Sequence, residues 1–304
     1  MNTKAYVEAR EVSQAVSALA AGARAVAGGT DLVVGARHGK APLPLALVGI
    51  HRIDELQRLE AGPDGVLSVG ALVSHARLVA DPTVLTRHTG IADASAIVGS
   101  HATRANGTLG GNVMNASPAM DTGAPLLCHG ARAVLTGPQG TRRVDLADLW
   151  TGPGRTSAAG DELLVAVELP PPAAGTGSAY VRLQYRRQME IAIVGAGSVL
   201  TVTDGVVSDA RIAITALAPT IRRVPEAEAA LVGVAVDADL AAAVARAGDL
   251  AAASAAPISD VRGSGDYRRA MAAVMVRRAV TTALRRAAGE QVRVPASDST
   301  YGWS

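Results

Sequence analysis

Two glycine pairs with polar neighbours are the segments of this sequence best suited to holding an anion. Residues 27–31 read Ala-Gly-Gly-Thr-Asp, and residues 108–112 read Thr-Leu-Gly-Gly-Asn. Because glycine has no side chain, the backbone N–H groups of each pair can come close to a phosphate. Thr30, Thr108 and Asn112 can add side-chain hydrogen bonds. One pair alone is more typical of a tight turn, but the two pairs together predict a pyrophosphate site that requires no lysine.

A third glycine-rich segment, residues 194–200, mimics the fingerprint of dinucleotide-binding folds. It lacks the third glycine, and it continues as a strand toward Asp204 and Gly205 rather than opening a helix. We therefore expect a strand without a ligand, and we expect Gly195→Ala to leave ligand binding nearly intact. The chain also has no Walker-type run of glycine, lysine and serine or threonine, which argues against ATP hydrolysis.

The other reactive side chains do not form a recognisable catalytic or metal-binding set. All six histidines lie in the first half of the chain, and no two have the spacing of metal ligands on a helix. The single cysteine, Cys128, is interpreted as a packed small hydrophobe. Alone, it excludes a disulfide framework or a cysteine-ligated cluster within this chain. Arg182, Arg186 and Arg187 precede Glu190, and they suit either a solvated rim or a place near a bound anion.

Length and composition are typical of a globular chain with two domains. The 304 residues are 49% hydrophobic and 18% charged. The net charge is +2 without a block of like charges, so nucleic acid is not expected as a partner. No apolar run reaches the ~20 residues of a membrane span, and Glu8 stands where a signal peptide would be apolar. We therefore expect a cytoplasmic protein.

Strand and helix signals surround both glycine pairs. Residues 11–21 have a helical apolar pattern, residues 23–27 read as a strand that runs into the first pair, and a helix is predicted over 30–37. A strand, glycines and a helix start in this order form an anion-binding arrangement. After the second pair, a Ser-Pro start predicts a helix over residues 117–130.

Three consecutive prolines, residues 170–172, mark the predicted domain boundary because they can continue neither a helix nor a central strand. Beyond them, an antiparallel sheet backed by helices is predicted. Its elements are strands at 180–185, 191–203 and 206–215 and helices at about 226–232, 238–253 and 264–287.

The order of these motifs resembles the FAD-binding subunit of the molybdenum hydroxylases, the family of xanthine dehydrogenase and aerobic carbon monoxide dehydrogenase. The resemblance covers roughly residues 4–288, and the second glycine segment is its most specific part. The matching segments are residues 27–32, 102–121, 152–156 with 161–164, 186–187 with 190–192, and 260–264 with 267–268.

The resemblance implies an α+β fold of two domains. Residues 1–172 would form a vanillyl-alcohol-oxidase-like (PCMH-type) FAD-binding domain, divided into two α+β subdomains at about 1–55 and 56–172. Residues 173–289 would form a CO dehydrogenase flavoprotein-like C-terminal domain, a three-stranded antiparallel sheet with three helices. Residues 290–304, which show no periodicity, are predicted to be a surface tail.

The resemblance also implies which residues bind FAD, in three groups. The loops around the pyrophosphate and the neighbouring ribityl groups would use Ala27, Gly28, Gly29, Thr30, Asp31, Leu32, Thr108, Gly110, Gly111 and Asn112. Ser117 and Asp121 would contact the ribityl or ADP part. The surroundings of the flavin ring would include Leu164, Arg182, Glu190 and Ile191. No histidine or cysteine lies in either loop, so the FAD is predicted to be noncovalent.

The function implied is that of an FAD-binding electron-transfer subunit without catalytic residues of its own. In this family, a large subunit hydroxylates substrate at a molybdenum pterin cofactor, and a small subunit carries two [2Fe-2S] clusters. The flavin then passes electrons to NAD, O2 or another acceptor. The expected assembly is a dimer of heterotrimers. The alternatives are a free-standing flavin-dependent oxidoreductase of the same FAD-binding superfamily and an assembly subunit that has lost its flavin.

Overall fold

A small parallel sheet comes first in the computed structural model, which describes residues 5–39 and 41–300. Its strand order is β1-β3-β2. One helix covers it with the buried residues Ala15, Val16 and Leu19, so the predicted helix over 11–21 and strand over 23–27 are confirmed. The elements are β1 (Ala5–Glu8), α1 (Val12–Ala20), β2 (Arg24–Val26), α2 (Leu32–Arg37) and β3 (Ala46–Gly49).

A five-stranded antiparallel sheet follows, with the order β4-β5-β10-β6-β7. Apolar residues of this sheet, such as Leu67 and Val167, are buried together with Leu78 and Leu109 from the helices between its strands. The elements are a 3-10 helix (Asp54–Gln57), β4 (Leu59–Ala61), β5 (Leu67–Gly70), α3 (His75–Ala80), α4 (Pro82–Arg87), α5 (Thr89–Ala96), α6 (His101–Asn106), α7 (Leu109–Asn115), α8 (Gly123–Cys128), β6 (Arg132–Gly137), β7 (Gly140–Asp145), α9 (Leu146–Leu149), β8 (Trp150–Gly152), β9 (Arg155–Thr156) and β10 (Leu163–Leu169).

The helix predicted over 117–130 is wrong in its first half. Helix α7 ends at Asn115, and the next residue, Ala116, has a left-handed backbone angle φ of 47°. The chain then turns, and the Ser117 hydroxyl accepts a hydrogen bond from the Ala119 N–H at 3.3 Å. The helix begins only at Gly123, because Ser117 caps a turn instead of a helix.

The C-terminal domain is an antiparallel sheet of four strands, with the order β11-β12-β13-β14, rather than the three predicted. The fourth strand has two residues, Arg222 and Arg223, which pair with Ile214 and Ala213; two residues are too short to show a periodic pattern. Residues 194–200 belong to a strand, as expected. The elements are β11 (Thr176–Leu183), β12 (Val194–Thr203), β13 (Val206–Thr215), β14 (Arg222–Arg223), α10 (Pro225–Ala229), α11 (Leu240–Ser254) and α12 (Gly265–Ala287).

The predicted surface tail is wrong at Ala296 and Ser297, where the chain after α12 returns to the junction between the domains, whereas Glu290, Gln291 and Arg293 are exposed. The last helix, α13 (Ala296–Thr300), begins with Ala296 and Ser297, which are both fully buried. The Ala296 N–H donates to the Asp93 carboxylate at 2.8 Å, and the Ser297 hydroxyl accepts from the Arg182 N–H at 3.1 Å. Because the segment is held by polar contacts with distant residues, its sequence shows no apolar periodicity that could have predicted its position.

Candidate functional site

The first glycine pair forms an open loop between β2 and α2. Among the described residues, the backbone N–H groups of Gly28, Gly29 and Thr30 donate no hydrogen bond to the protein. A Cβ atom on Gly28 would lie 1.8 Å from the carbonyl oxygen of Asn106. Glycine is therefore required where this loop touches the end of α6, and three consecutive donors stay available for a ligand.

The second glycine pair differs from the first, because its N–H groups are used by the fold. Residues 108–112 start helix α7, and the Thr108 hydroxyl caps this helix by accepting from the Gly111 N–H at 3.0 Å. The Gly110 N–H donates to the Ala71 carbonyl at 3.0 Å, and a Cβ on Gly110 would lie 2.6 Å from the same oxygen. The pair serves close packing against the chain after β5, which leaves Gly111 and the Asn112 side chain toward the surface.

The two segments predicted from the sequence do meet, at Gly107. The His75 N–H donates to the Gly107 carbonyl at 3.1 Å, which ties the start of α3 to the residue before the second segment. The position of the missing Cβ of Gly107 also lies 3.5 Å from the His75 ring and 3.6 Å from the Thr30 hydroxyl of the first loop. The first loop and the residue before α7 are therefore neighbours, and the space beside them is called the cleft below.

The motifs did not indicate two further buried polar residues of this region, His75, whose ring contacts Gly107, and Arg104 on α6. His75 is 1% exposed, its Nδ1 has no hydrogen-bond partner, and burial together with the charge of Arg104 lowers its pKa to about 4. Arg104 is 9% exposed and donates to the Val98 carbonyl at 3.0 Å. Its place within residues 102–121, the most specific part of the resemblance, was the signal that could have identified it.

Asp121 and Arg182 form a buried ion pair that joins the two domains. Arg182, on β11, is fully buried, and its guanidinium lies 2.7 Å from the Asp121 carboxylate. The second Asp121 oxygen accepts from the Tyr180 hydroxyl at 2.8 Å. Burial raises the pKa of Asp121, while Arg182 opposes the shift. Arg182 also donates to the side chain of Gln184 and to the carbonyl of Glu190, so it links Asp121 to the loop expected near the flavin ring.

That loop, residues 185–191, carries exposed apolar side chains. Tyr185 is 66% exposed, Met189 58% and Ile191 46%. The Glu190 carboxylate accepts from the Ile191 N–H at 3.1 Å and from Arg186 at 3.2 Å. Arg186 is therefore an exposed rim residue paired with Glu190. The Met189 N–H donates to the Gly99 carbonyl at 2.9 Å, which holds this loop against the FAD-domain turn before α6.

The remaining predicted residues lie in different surroundings. Ala27 and Asp31 flank the first glycine pair, and Asp31 precedes α2 without a capping hydrogen bond from its side chain. Leu32 is the first residue of α2 and is half-buried. Ser117 lies in the turn after α7. Leu164 is 3% exposed and belongs to the core that includes the five-stranded sheet.

The structure of residues 5–39 and 41–300 shows neither a metal site nor a reactive thiol. Three or more histidine, cysteine or acidic side chains do not come together there as a metal site. Cys128 is buried and its thiol donates to the Gly197 carbonyl at 3.5 Å; burial raises its pKa far above the ordinary value. In the same ranges, no helix combines the length and apolar character required to span a membrane.

Comparison with known proteins identifies the class. Residues 1–172 match the FAD-binding domain of molybdopterin dehydrogenases, and residues 178–283 match the C-terminal domain of the CO dehydrogenase flavoprotein. The chain therefore belongs to the FAD-binding subunits of the molybdenum hydroxylases, as the motifs predicted, and it is a flavoprotein subunit of an oxidoreductase.

Individual relatives support this membership. The carbon monoxide dehydrogenase medium chain of Afipia carboxidovorans is 36% identical over 87% of this chain and 90% of its own length. A putative xanthine dehydrogenase FAD-binding subunit of Escherichia coli is 28% identical over 94% of this chain and 97% of its own length. In a solved structure of carbon monoxide dehydrogenase from Hydrogenophaga pseudoflava, the matching chain has a TM-score of 0.87 and 34% identity, with coverage of 92% and 97%.

The cleft described above fits FAD. The diphosphate of FAD requires several donors within a short distance, and Gly28, Gly29 and Thr30 present consecutive N–H groups that have no partner within residues 5–39 and 41–300. A Cβ on Gly28 would collide with the opposite wall, so the loop is shaped by contact with α6. Thr30 and Asn112 add polar side-chain groups on the two sides of this cleft.

Proposed function

We propose that this chain is the electron-transfer subunit of a three-subunit molybdenum hydroxylase. In this proposal, electrons from [2Fe-2S] clusters of a small subunit reach FAD on this chain and leave to an acceptor such as NAD or O2. The observation that carries the proposal is the run of N–H groups at Gly28, Gly29 and Thr30, which have no partner in the part of the chain that the structure describes and lie near α7 in a chain of this family. The single cysteine of the sequence cannot ligate a cluster, so the other redox centres would belong to partners.

The residues of this chain would bind and orient the cofactor, and bound FAD would supply the redox chemistry. Gly28, Gly29 and Thr30 would hold the diphosphate from one side, and Asn112 would hold it from the other. Residues 185–191 would border the ring, because this loop combines the Glu190 carboxylate with exposed apolar side chains and is fixed to the FAD domain through Met189.

The proposed partners are a large subunit with the molybdenum pterin cofactor and a small subunit with the two [2Fe-2S] clusters. The complex would be a dimer of heterotrimers in the cytoplasm. The relatives support this arrangement because one is named as a medium chain of carbon monoxide dehydrogenase. They also bear the names of different substrates, carbon monoxide and xanthine, so the substrate would be chosen by another subunit.

The decisive experiment compares flavin reduction with and without the partners. Acid treatment of the purified chain should release a yellow chromophore that chromatographs as FAD, because the proposed binding is noncovalent. A chemical reductant should reduce the flavin of the isolated chain, but an aldehyde, a purine, an N-heterocycle or carbon monoxide should not. Adding the large and small subunits should make one such substrate effective.

Two results would contradict the proposal. Turnover of such a substrate by the isolated chain would favour a free-standing flavin oxidoreductase. A purified complex in which this chain carries no flavin and takes up none would favour an assembly subunit. Chromophore that stays in the acid precipitate would contradict noncovalent binding alone.

A further inference from the structure

The side-chain amide of Asn112 is hydrogen-bonded to a buried hydroxyl. Asn112 lies on α7, in the second glycine segment, and its Oδ1 accepts a hydrogen bond of 2.6 Å from the Thr122 hydroxyl. Thr122 stands immediately before α8 and is fully buried. The contact therefore joins a residue of the proposed cofactor site to the chain that follows the turn after α7.

The Thr122 hydroxyl decides which end of the amide faces it. In the described part of the chain, Oδ1 of Asn112 is the only hydrogen-bond partner of this hydroxyl. If the amide were turned around, its NH2 group would face the hydroxyl, and the hydroxyl proton would be buried without an acceptor. A buried donor without a partner costs about 1–3 kcal/mol, so the orientation with Oδ1 toward Thr122 is favoured.

The NH2 group of Asn112 is consequently left for a ligand. It donates to no acceptor within residues 5–39 and 41–300, and it is not one of the fully buried polar atoms of those residues. Solvent can therefore reach it on the side of α7 where Gly111 is exposed. An NH2 group offers two donor hydrogens to phosphate oxygens, whereas Oδ1 in the same place would repel them.

We propose that Thr122 is a positioning residue of the FAD site, which holds Oδ1 of Asn112 so that the NH2 group faces the diphosphate. Thr122 acts through Asn112 and does not touch the cofactor itself. The inference rests on the proposed use of Asn112 at the diphosphate. It adds a residue outside both glycine segments, and it assigns the role of donor to an amide that could otherwise serve as donor or acceptor.

The first experiment tests whether Asn112 is a donor to FAD. The full chain is stripped of flavin and titrated with FAD, and flavin fluorescence gives the Kd. Asn112→Ala removes the amide and should weaken binding by about 10- to 100-fold, the effect of losing one hydrogen bond to a charged group. Asn112→Asp keeps an oxygen for the Thr122 hydroxyl and replaces only the outward NH2 group, so it should weaken binding at least as much.

The second experiment tests whether Thr122 orients the amide. Thr122→Val removes the hydroxyl with little change in shape, and Thr122→Ser keeps it. Once the amide can turn, only a fraction of the molecules presents the NH2 group, and the apparent affinity falls by that fraction. We expect FAD binding to weaken by about three- to tenfold in Thr122→Val and by less than about twofold in Thr122→Ser.

Two comparisons separate this role from a general structural effect. Thr282→Val is the matched control, because Thr282 is another buried threonine, 3% exposed, on α12 of the C-terminal domain, and its variant should bind FAD as the wild type does. In the Asn112→Ala background, Thr122→Val should change the Kd by less than about twofold, since no amide remains to be oriented. The thermal unfolding midpoint of each flavin-free variant checks that the chain is folded.

Three results would overturn the inference while leaving the proposed function intact. One is FAD affinity of Thr122→Val or of Asn112→Ala within about twofold of a wild type that binds FAD. Another is tighter binding in Asn112→Asp than in Asn112→Ala, which would make the outward group an acceptor. The third is an equal loss from Thr122→Val with and without the Asn112 amide, as expected of a merely structural threonine. A wild-type chain that takes up no FAD would refute the proposed function and this inference with it.

Discussion

The contact between Gly28 and α6 predicts that Gly28→Ala disrupts FAD binding far more than it disrupts the fold. The added Cβ would lie 1.8 Å from the Asn106 carbonyl oxygen and 2.7 Å from its carbon. Cβ contacts below 3.0 Å are essentially never found, so the loop and the helix must separate by about 1.2 Å. Both partners are backbone, and no side-chain rotation can relieve the collision.

A displacement of this size moves the N–H groups of Gly28, Gly29 and Thr30 away from the opposite wall of the cleft. Losing one or two hydrogen bonds to a charged group costs about 1.5–3 kcal/mol each, so we expect FAD affinity to fall by about 100-fold. The overpacking should lower the free energy of unfolding by only about 1–3 kcal/mol. The core under the first sheet, formed by α1 and Val48, does not include Gly28 and should persist.

The assay is titration of the flavin-free protein with FAD, with circular dichroism to follow unfolding. Gly35→Ala is the matched control: it lies on α2, and a Cβ there would meet nothing within 4 Å. Alanine is favoured over glycine in a helix, so this variant should bind FAD normally and be slightly more stable. Equal FAD affinity in the two variants would refute the reasoning, because the first loop would then not hold the diphosphate.

Three further predictions concern glycines and acid stability. Gly111→Val should abolish FAD uptake but leave a folded chain. The fold should tolerate the change because the nearest atom to the added Cβ is the Thr108 hydroxyl at 3.1 Å. Unchanged flavin content would exclude this face of α7 from the site. Gly195→Ala, which the sequence predicts to leave ligand binding nearly intact, should lower stability, because its Cβ would lie 2.2 Å from the buried Tyr180 hydroxyl; an unchanged unfolding midpoint would contradict this. Burial is the main cause that lowers the pKa values of His75 and His88 to about 4 in the folded chain. As the pH drops from about 6.5 to 4, the unfolded chain therefore takes up protons that the folded chain does not, and the free energy of unfolding should fall. The free energy of unfolding, measured with urea at several pH values, should depend less on pH in H88Q, with a slope smaller by about 1.4 kcal/mol per pH unit in that range. An unchanged slope would contradict burial of His88 as the cause.

Parts of the fold that depend on neighbours in sequence were predictable. The helix over 11–21 and the strand before the first glycine pair follow from apolar periodicity and from the residues that end a helix. The strand at 194–200 was recognised because it lacks the third glycine of a nucleotide fingerprint. The family was also recognisable from the sequence, because the second glycine segment keeps the residue types and spacing of that family.

The use of each glycine pair could not be predicted, since it depends on partners far along the chain. Both pairs have the same local pattern, yet the Gly110 N–H is taken by Ala71, whereas the Gly28 N–H has no protein partner among the described residues. The same limitation explains β14: Arg222 and Arg223 form a strand only because β13 presents a free edge to them.

The sequence by itself determined which residue types could bind FAD and the order of the local elements, because these follow from short-range sterics and periodicity. Only the tertiary structure decided which of those groups remain available. Asp93 reaches Ala296 across 203 positions of sequence, and Asp121 reaches Arg182 across 61. Folding thereby neutralises Arg182 with a carboxylate and leaves Arg104 with the Val98 carbonyl and no carboxylate among the described residues, because charge pairing depends on which distant side chains are brought within hydrogen-bond distance.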